Sequence, residues 1–116
     1  MKTIFVLIAA AFIWLLPQET PKLNGHFRIE FDKKNGQPAY QITFNDSTFV
    51  KKMPDAITYK GKIEYSKFKA TIRQNKEDDP IEIDNREIGK DTIKFTLKSK
   101  RDLSMTLNRG KLIKIK

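Results

Sequence analysis

HFRIEFDKKNGQPAYQITFN, residues 26–45, contains two runs in which apolar and polar residues alternate. In the first, Phe27, Ile29 and Phe31 share one face and Arg28, Glu30 and Asp32 the other; in the second, Tyr40, Ile42 and Phe44 oppose Gln41 and Thr43. Successive side chains of a strand point to opposite faces, so the alternation predicts strands over 26–32 and 39–45, each with one buried and one wet face. Between them, Lys33-Lys34-Asn35-Gly36-Gln37-Pro38 carries an Asn-Gly pair, which accepts the positive φ angles of a tight hairpin. The two strands are therefore expected to pair antiparallel.

The same period continues outward from this hairpin. After the turn Asn45-Asp46-Ser47 comes Thr48 to Lys52, and then Ile57 to Tyr65, where Ile57, Tyr59, Gly61, Ile63 and Tyr65 share one parity. Gly61 leaves open a bend, a bulge or a division into two strands. Phe68, Ala70 and Ile72 alternate with Lys69, Thr71 and Arg73, and Glu77-Asp78-Asp79-Pro80 closes that stretch. Further strands are expected at Ile81–Ile88, Thr92–Lys98 with Ile93, Phe95 and Leu97 inward, Asp102–Leu107 with Leu103, Met105 and Leu107 inward, and Leu112–Ile115. Gly89-Lys90-Asp91, Ser99-Lys100-Arg101 and Arg109-Gly110 are the expected turns. No helical period of ten or more residues occurs after Pro21. Short turns let only neighbours pair, so the fold class is all-β, an antiparallel up-and-down meander of about eight strands. Closure into a small barrel removes the two exposed edges; a two-sheet sandwich would need longer crossovers.

At 116 residues the chain has room for one domain, expected over 21–116. Its first 20 residues, MKTIFVLIAAAFIWLLPQET, place a cation at Lys2 before an apolar run from Ile4 to Leu16, the order of an N-terminal hydrophobic signal segment. That run is shorter than the roughly 20 residues a membrane-spanning helix needs, so export, to a periplasm or the medium, is expected. A short uncleaved anchor is the other reading, since no small-residue cleavage pattern follows Leu16. The absence of cysteine excludes disulfides, thiol nucleophiles and thiolate metal sites.

Leu23-Asn24-Gly25-His26-Phe27 and Leu107-Asn108-Arg109 resemble the two ends of a small bacterial lipocalin-like, calycin-type barrel domain, with Phe27 standing where that family carries tryptophan. Ile42 to Phe49 and Asp91 to Leu97 are similar to its second-and-third and seventh strands. The resemblance spans about residues 23 to 109 and implies that Arg109 covers the Phe27 ring, closing one barrel end by a cation–π contact.

Chemistry is sparse. His26 is the only histidine, and no phosphate-cradling glycine loop, paired carboxylates or nucleophile elbow is present, so no catalytic residue, cofactor or metal site is expected. His26 reads as a rim side chain and Glu77-Asp78-Asp79 as a solvated acidic turn. The function expected is a non-enzymatic binding module holding a small hydrophobic ligand, with Phe31, Tyr40, Phe44, Tyr59, Tyr65, Phe95 and Met105 as interior candidates. Lys and Arg outnumber Asp and Glu by 23 to 14, and the excess gathers toward the carboxyl end. The alternative function is accordingly an envelope protein with a solid barrel, docking on an anionic surface or partner through Lys111, Lys114 and Lys116. Nucleic acid is not expected as a partner, because aromatics alternate inward and do not interleave with the cations. Oligomeric state is left open.

Overall fold

The computed structural model describes residues 20–34, 36 and 39–115. The export segment expected over 1–20 therefore lies almost wholly outside the described residues, as does Lys116. Eight strands follow in chain order: β1 (Leu23–Phe31), β2 (Gln41–Asp46), β3 (Thr48–Lys52), β4 (Thr58–Tyr65), β5 (Lys69–Ile72), β6 (Ile81–Asp84), β7 (Thr92–Lys98) and β8 (Thr106–Lys114). Every strand pairs antiparallel with its sequence neighbours, and β8 returns to β1 to close the barrel. The all-β, up-and-down barrel expected from the alternation is the fold.

In such a meander the β1–β2, β3–β4, β5–β6 and β7–β8 connections gather at one end, the upper end, and the remaining turns at the lower end. Apolar positions of one parity fill the interior: Phe27 and Ile29 from β1, Ile42 and Phe44 from β2, Ile93, Phe95 and Leu97 from β7 are all buried. Charged positions of the other parity, among them Arg28, Lys94 and Lys111, are exposed. An apolar interior with a charged outer face is the reverse of a transmembrane barrel.

The lower end is tied by side chains. Asp46 adopts φ 55 in the β2–β3 turn. Asn24 holds it there, donating from Nδ2 to Asp46 Oδ1 at 2.6 Å and accepting from the Asp46 amide at 3.1 Å. The Tyr65 hydroxyl accepts from the Leu23 amide at 2.8 Å and donates to the Asp46 carbonyl, joining β4 to both partners.

Two expectations about strand bounds are corrected, and the alternatives at Gly61 are resolved. Arg109-Gly110 is no turn: Gly110 lies inside β8, opposite Phe31 on one side and Phe95 on the other, so one strand runs through it from Thr106 to Lys114, while 102–105 of the strand expected at 102–107 lie in the β7–β8 turn. A Cβ there would sit 2.2 Å from the Glu30 carbonyl oxygen and 2.6 Å from the Phe95 ring. The glycine marks a close approach of chains, the other use of glycine in strands. Gly61 acts likewise under the Phe49 ring, and β4 runs through it unbroken. The stretch expected at Ile81–Ile88 stops at Asp84, whose carboxylate accepts from the Arg86 amide and caps a 3-10 turn at Asn85–Glu87.

Inward parity also fails at the strand ends. Ile57, Tyr59, Phe68, Leu103, Met105 and Leu107 are all exposed, Phe68 most of all at 72%. Phe68 sits in the β4–β5 turn, Leu103 and Met105 in the β7–β8 turn, where no pleat sets direction. Leu107 is the extra residue of a β-bulge, since Leu97 faces Asn108 while Lys98 faces Thr106.

Candidate functional site

Packing fills the lower barrel and thins toward the upper end. Phe27 packs against Phe44 at 5.7 Å between ring centroids, and Phe31 meets Phe95 edge-on at 5.5 Å. Above these a cavity of about 270 Å³ opens, walled by Phe31, Tyr40, Ile42, Phe49, Ile72, Ile81 and Leu97 and completed by Lys51, Met53, Arg73, Gln74, Asp78 and Asp79. β1 and β2 bring Phe31 and Tyr40 together at 6.5 Å because their pairing ends at Arg28 and Gln41, followed by one bond from the Ile29 amide to the Tyr40 carbonyl.

Lys51 is the polar centre of this mouth. It shares the parity of buried Phe49 on β3, so its stem points inward while its ammonium lies 4.8 Å from the Tyr40 ring centroid and 5.6 Å from that of Tyr59. Burial pushes its ammonium pKa below the usual lysine range, and the charge of Asp78 opposes that shift in part. Burial alone pushes the Tyr40 hydroxyl upward, so it stays protonated and able to donate. The mouth thus offers an apolar wall and the Tyr40 phenol beneath a charged rim of Lys51, Arg73, Asp78 and Asp79. A wider cleft of about 720 Å³ runs along the outer wall past Arg28, Glu30, Lys34 and Lys52. Its lining mixes these charges with Ile29, Phe31, Ala39, Tyr40, Met53 and Pro54.

Of the seven interior candidates, the structure brings Phe31 and Tyr40 to the mouth. Phe44 and Phe95 are buried in the core and do not line the mouth. Tyr65 belongs to the lower-end tie, at the far end from the mouth. Tyr59 stands on the outer rim and Met105 projects from the β7–β8 turn.

The expected Phe27–Arg109 closure is absent. Phe27 is buried and level with Lys114, whereas Arg109 is exposed, level with Thr96, and its carbonyl accepts from the Asp32 amide at 2.7 Å. The neighbouring Asn108, only 6% exposed, does the tying. It donates from Nδ2 to the Lys33 carbonyl at 2.8 Å and accepts from the Lys33 amide at 3.2 Å, fixing the β1–β2 loop over β8.

The anionic-surface candidates separate too. Lys111 is on the outer wall, but Lys114 has the inward parity of Leu112 and lies over Gly25 at the lower end, 3.9 Å from where its Cβ would be. Cations do converge elsewhere: Lys94 is opposite Lys111 and Thr96 opposite Arg109 on the outer face of β7 and β8, with Lys98 above them. None of these four cations is in an ion pair among the described residues, whereas the nearby Glu82 and Glu87 are paired with Lys69 and Lys90. Like charges directly across a ladder repel. Beside them β6 and β7 pair only at Ile81–Leu97 and Glu82–Thr96, and the Glu87 carboxylate then substitutes for the missing strand by accepting from the Lys94 amide at 3.0 Å.

Lys51 and Asn108 were missed as site residues. For Lys51 the signal was present, since a lysine two positions after an inward Phe49 marks the point where a barrel interior meets water. Glu77-Asp78-Asp79 does not converge on a cation site; among the described residues no three His, Cys, Asp or Glu side chains do. No family model, curated protein or solved structure matches this chain.

Proposed function

We propose that the chain is an exported, non-enzymatic binding barrel of the lipocalin-like type, which takes a small ligand with an apolar body into its upper mouth. The observation that carries this reading is the cavity of about 270 Å³ with an apolar wall of Phe31, Tyr40, Ile42, Phe49, Ile72, Ile81 and Leu97 and a polar rim of Lys51, Arg73, Gln74, Asp78 and Asp79. Pockets for drug-sized ligands run from about 300 to 1,000 Å³, so a cavity of about 270 Å³ takes a molecule smaller than these. Burial of its apolar surface supplies the affinity, at about 25 cal/mol per Å². The up-and-down barrel and the Gly25-His26-Phe27 entry to β1 support the lipocalin-like assignment; the leader composition supports export.

The test is displacement of a hydrophobic fluorescent dye by short- and medium-chain fatty acids. One-to-one saturable binding, weakened at least tenfold by Ile72→Trp, is the expected result. Ile72 lines the mouth, so the larger side chain fills it. Non-saturable binding, or binding indifferent to Ile72→Trp in a protein that still melts cooperatively, refutes the reading.

A second reading has its own observation, the unpaired Lys94, Lys98, Arg109 and Lys111 on the outer face of β7 and β8. Here the barrel is an envelope interaction protein that docks on an anionic surface. Its association is expected to fall steeply between low and high salt and after Lys94→Glu with Lys111→Glu; salt-independent association refutes it.

A further inference from the structure

We infer that the β7–β8 hairpin is a membrane-docking element that inserts Leu103 and Met105 into an anionic lipid bilayer while the cations beside it meet the headgroups. The inference builds on the second reading and names its surface.

The hairpin is built inside out. Asp102 accepts from both the amide and the hydroxyl of Ser104, at 3.0 and 2.6 Å, and Ser99 Oγ accepts from the Arg101 amide at 3.2 Å. Backbone bonds from Met105 to the Asp102 carbonyl and from Ser99 to the Met105 carbonyl close the turn. The Lys100 amide donates to Asp79 at 2.9 Å, fastening the turn to the β5–β6 loop. The polar side chains of Ser99, Asp102 and Ser104 are thereby spent within the loop, and the apolar ones face water: Leu103 and Met105 are each 53% exposed. Leu107, pushed out by the bulge, continues the apolar patch down the outer face of β8. A well-tied turn that presents leucine and methionine to solvent beside exposed Leu107 is a candidate docking surface.

Charge says which surface. Lys98, Lys100 and Arg101 flank the apolar tip, and Arg109 and Lys111 extend below it on the same outer wall as Leu107. Asp102 opposes them with one charge, already engaged by Ser104. The acidic Glu77-Asp78-Asp79 loop borders the other side of the tip, where Asp79 is held by Lys100, so approach to an anionic surface is through the β8 side. Apolar side chains ringed by lysine and arginine are the composition that binds at a bilayer interface, by buried apolar area and attraction to anionic headgroups together.

The experiment is co-sedimentation of the purified protein with vesicles of phosphatidylcholine alone and with phosphatidylcholine containing about 30% phosphatidylglycerol, which carries the negative surface potential. Binding to the anionic vesicles and little to the neutral ones is expected, with Leu103→Asp plus Met105→Asp lowering the partition at least tenfold. These positions are exposed, so the fold is retained. If the hairpin variant binds as the parent does while Lys94→Glu with Lys111→Glu does not, insertion is refuted and the basic-face reading stands. Retention on a polyanion resin without vesicle binding also overturns the bilayer and leaves that reading intact; loss of both overturns the two together.

Discussion

Replacing Gly110 by alanine tests the closure of the barrel. In an ordinary strand position the change would stabilise by about 0.5–1 kcal/mol, since glycine loses more backbone freedom on folding. Here the new methyl would be placed 2.2 Å from the Glu30 carbonyl oxygen and 2.6 Å from the Phe95 ring. The ring can rotate away at modest cost. The carbonyl cannot, because Glu30 is opposite Lys111 in the ladder that seals β1 to β8. Overpacking of this kind costs about 1–3 kcal/mol, and a clash with fixed backbone belongs at the upper end. At a urea dependence of about 2 kcal/mol per M, a loss of about 3 kcal/mol moves the unfolding midpoint down by about 1.5 M. Gly61→Ala is the comparison: its Cβ meets the Phe49 ring at 2.6 Å but backbone only at 3.3 Å, so a smaller loss is expected. A Gly110→Ala protein as stable as the parent would place residues 109–110 in a turn and refute the β1–β8 closure.

Tyr65→Phe removes the hydroxyl that serves Leu23 and Asp46, leaving the amide of a buried residue without its partner, and is expected to cost about 1–3 kcal/mol in chemical denaturation. An Asn108→Ala protein should show amide exchange accelerated at Lys33, with exchange in β4 and β5 unchanged, because Asn108 holds the β1–β2 loop through both Lys33 backbone groups. Glu87 has its carboxyl held below the usual 4.5 by the hydrogen bond from Lys90 and then by the Lys94 amide. The native state therefore keeps the carboxylate charged where the unfolded chain takes up a proton, so this contribution to stability is full above the usual value and is lost as pH falls through the lowered one. Protection of the Lys94 amide, measured against its intrinsic exchange rate, is expected to hold at neutral pH and to fall as the carboxylate is protonated at acid pH, and in Glu87→Gln to be reduced at neutral pH and to lose this pH dependence.

Alternation made the architecture legible along the middle of the strands. Phe27, Ile29, Ile42, Phe44, Ile93, Phe95 and Leu97 all face inward as their parity required. Parity says nothing about where a strand stops, so Phe68, Leu103 and Met105 were assigned to an interior they never enter, and Tyr59, the second residue of β4, reaches only the rim. Gly110 was misread for a related reason: local sequence cannot distinguish a glycine that turns the chain from one that admits a neighbouring carbonyl. The site was legible only in part. Phe31 and Tyr40 could be named because they are aromatic and inward, whereas Tyr65 shares both properties and differs only in which end of the barrel its hydroxyl reaches. The basic cluster could not be read from the carboxyl-terminal run of cations, because Lys111 and Lys114 fall on opposite faces of β8 while Lys94 joins Lys111 from another strand.

The most direct test of a ligand-binding mouth is a methyl NMR titration of isoleucine-, leucine- and methionine-labelled protein with octanoate. Saturable shifts at Ile42, Met53, Ile72, Ile81 and Leu97, with Ile63 and Ile93 unmoved, are the predicted result. Shifts that fail to saturate, or that gather at Leu103, Met105 and Leu107 while the mouth stays silent, would contradict it.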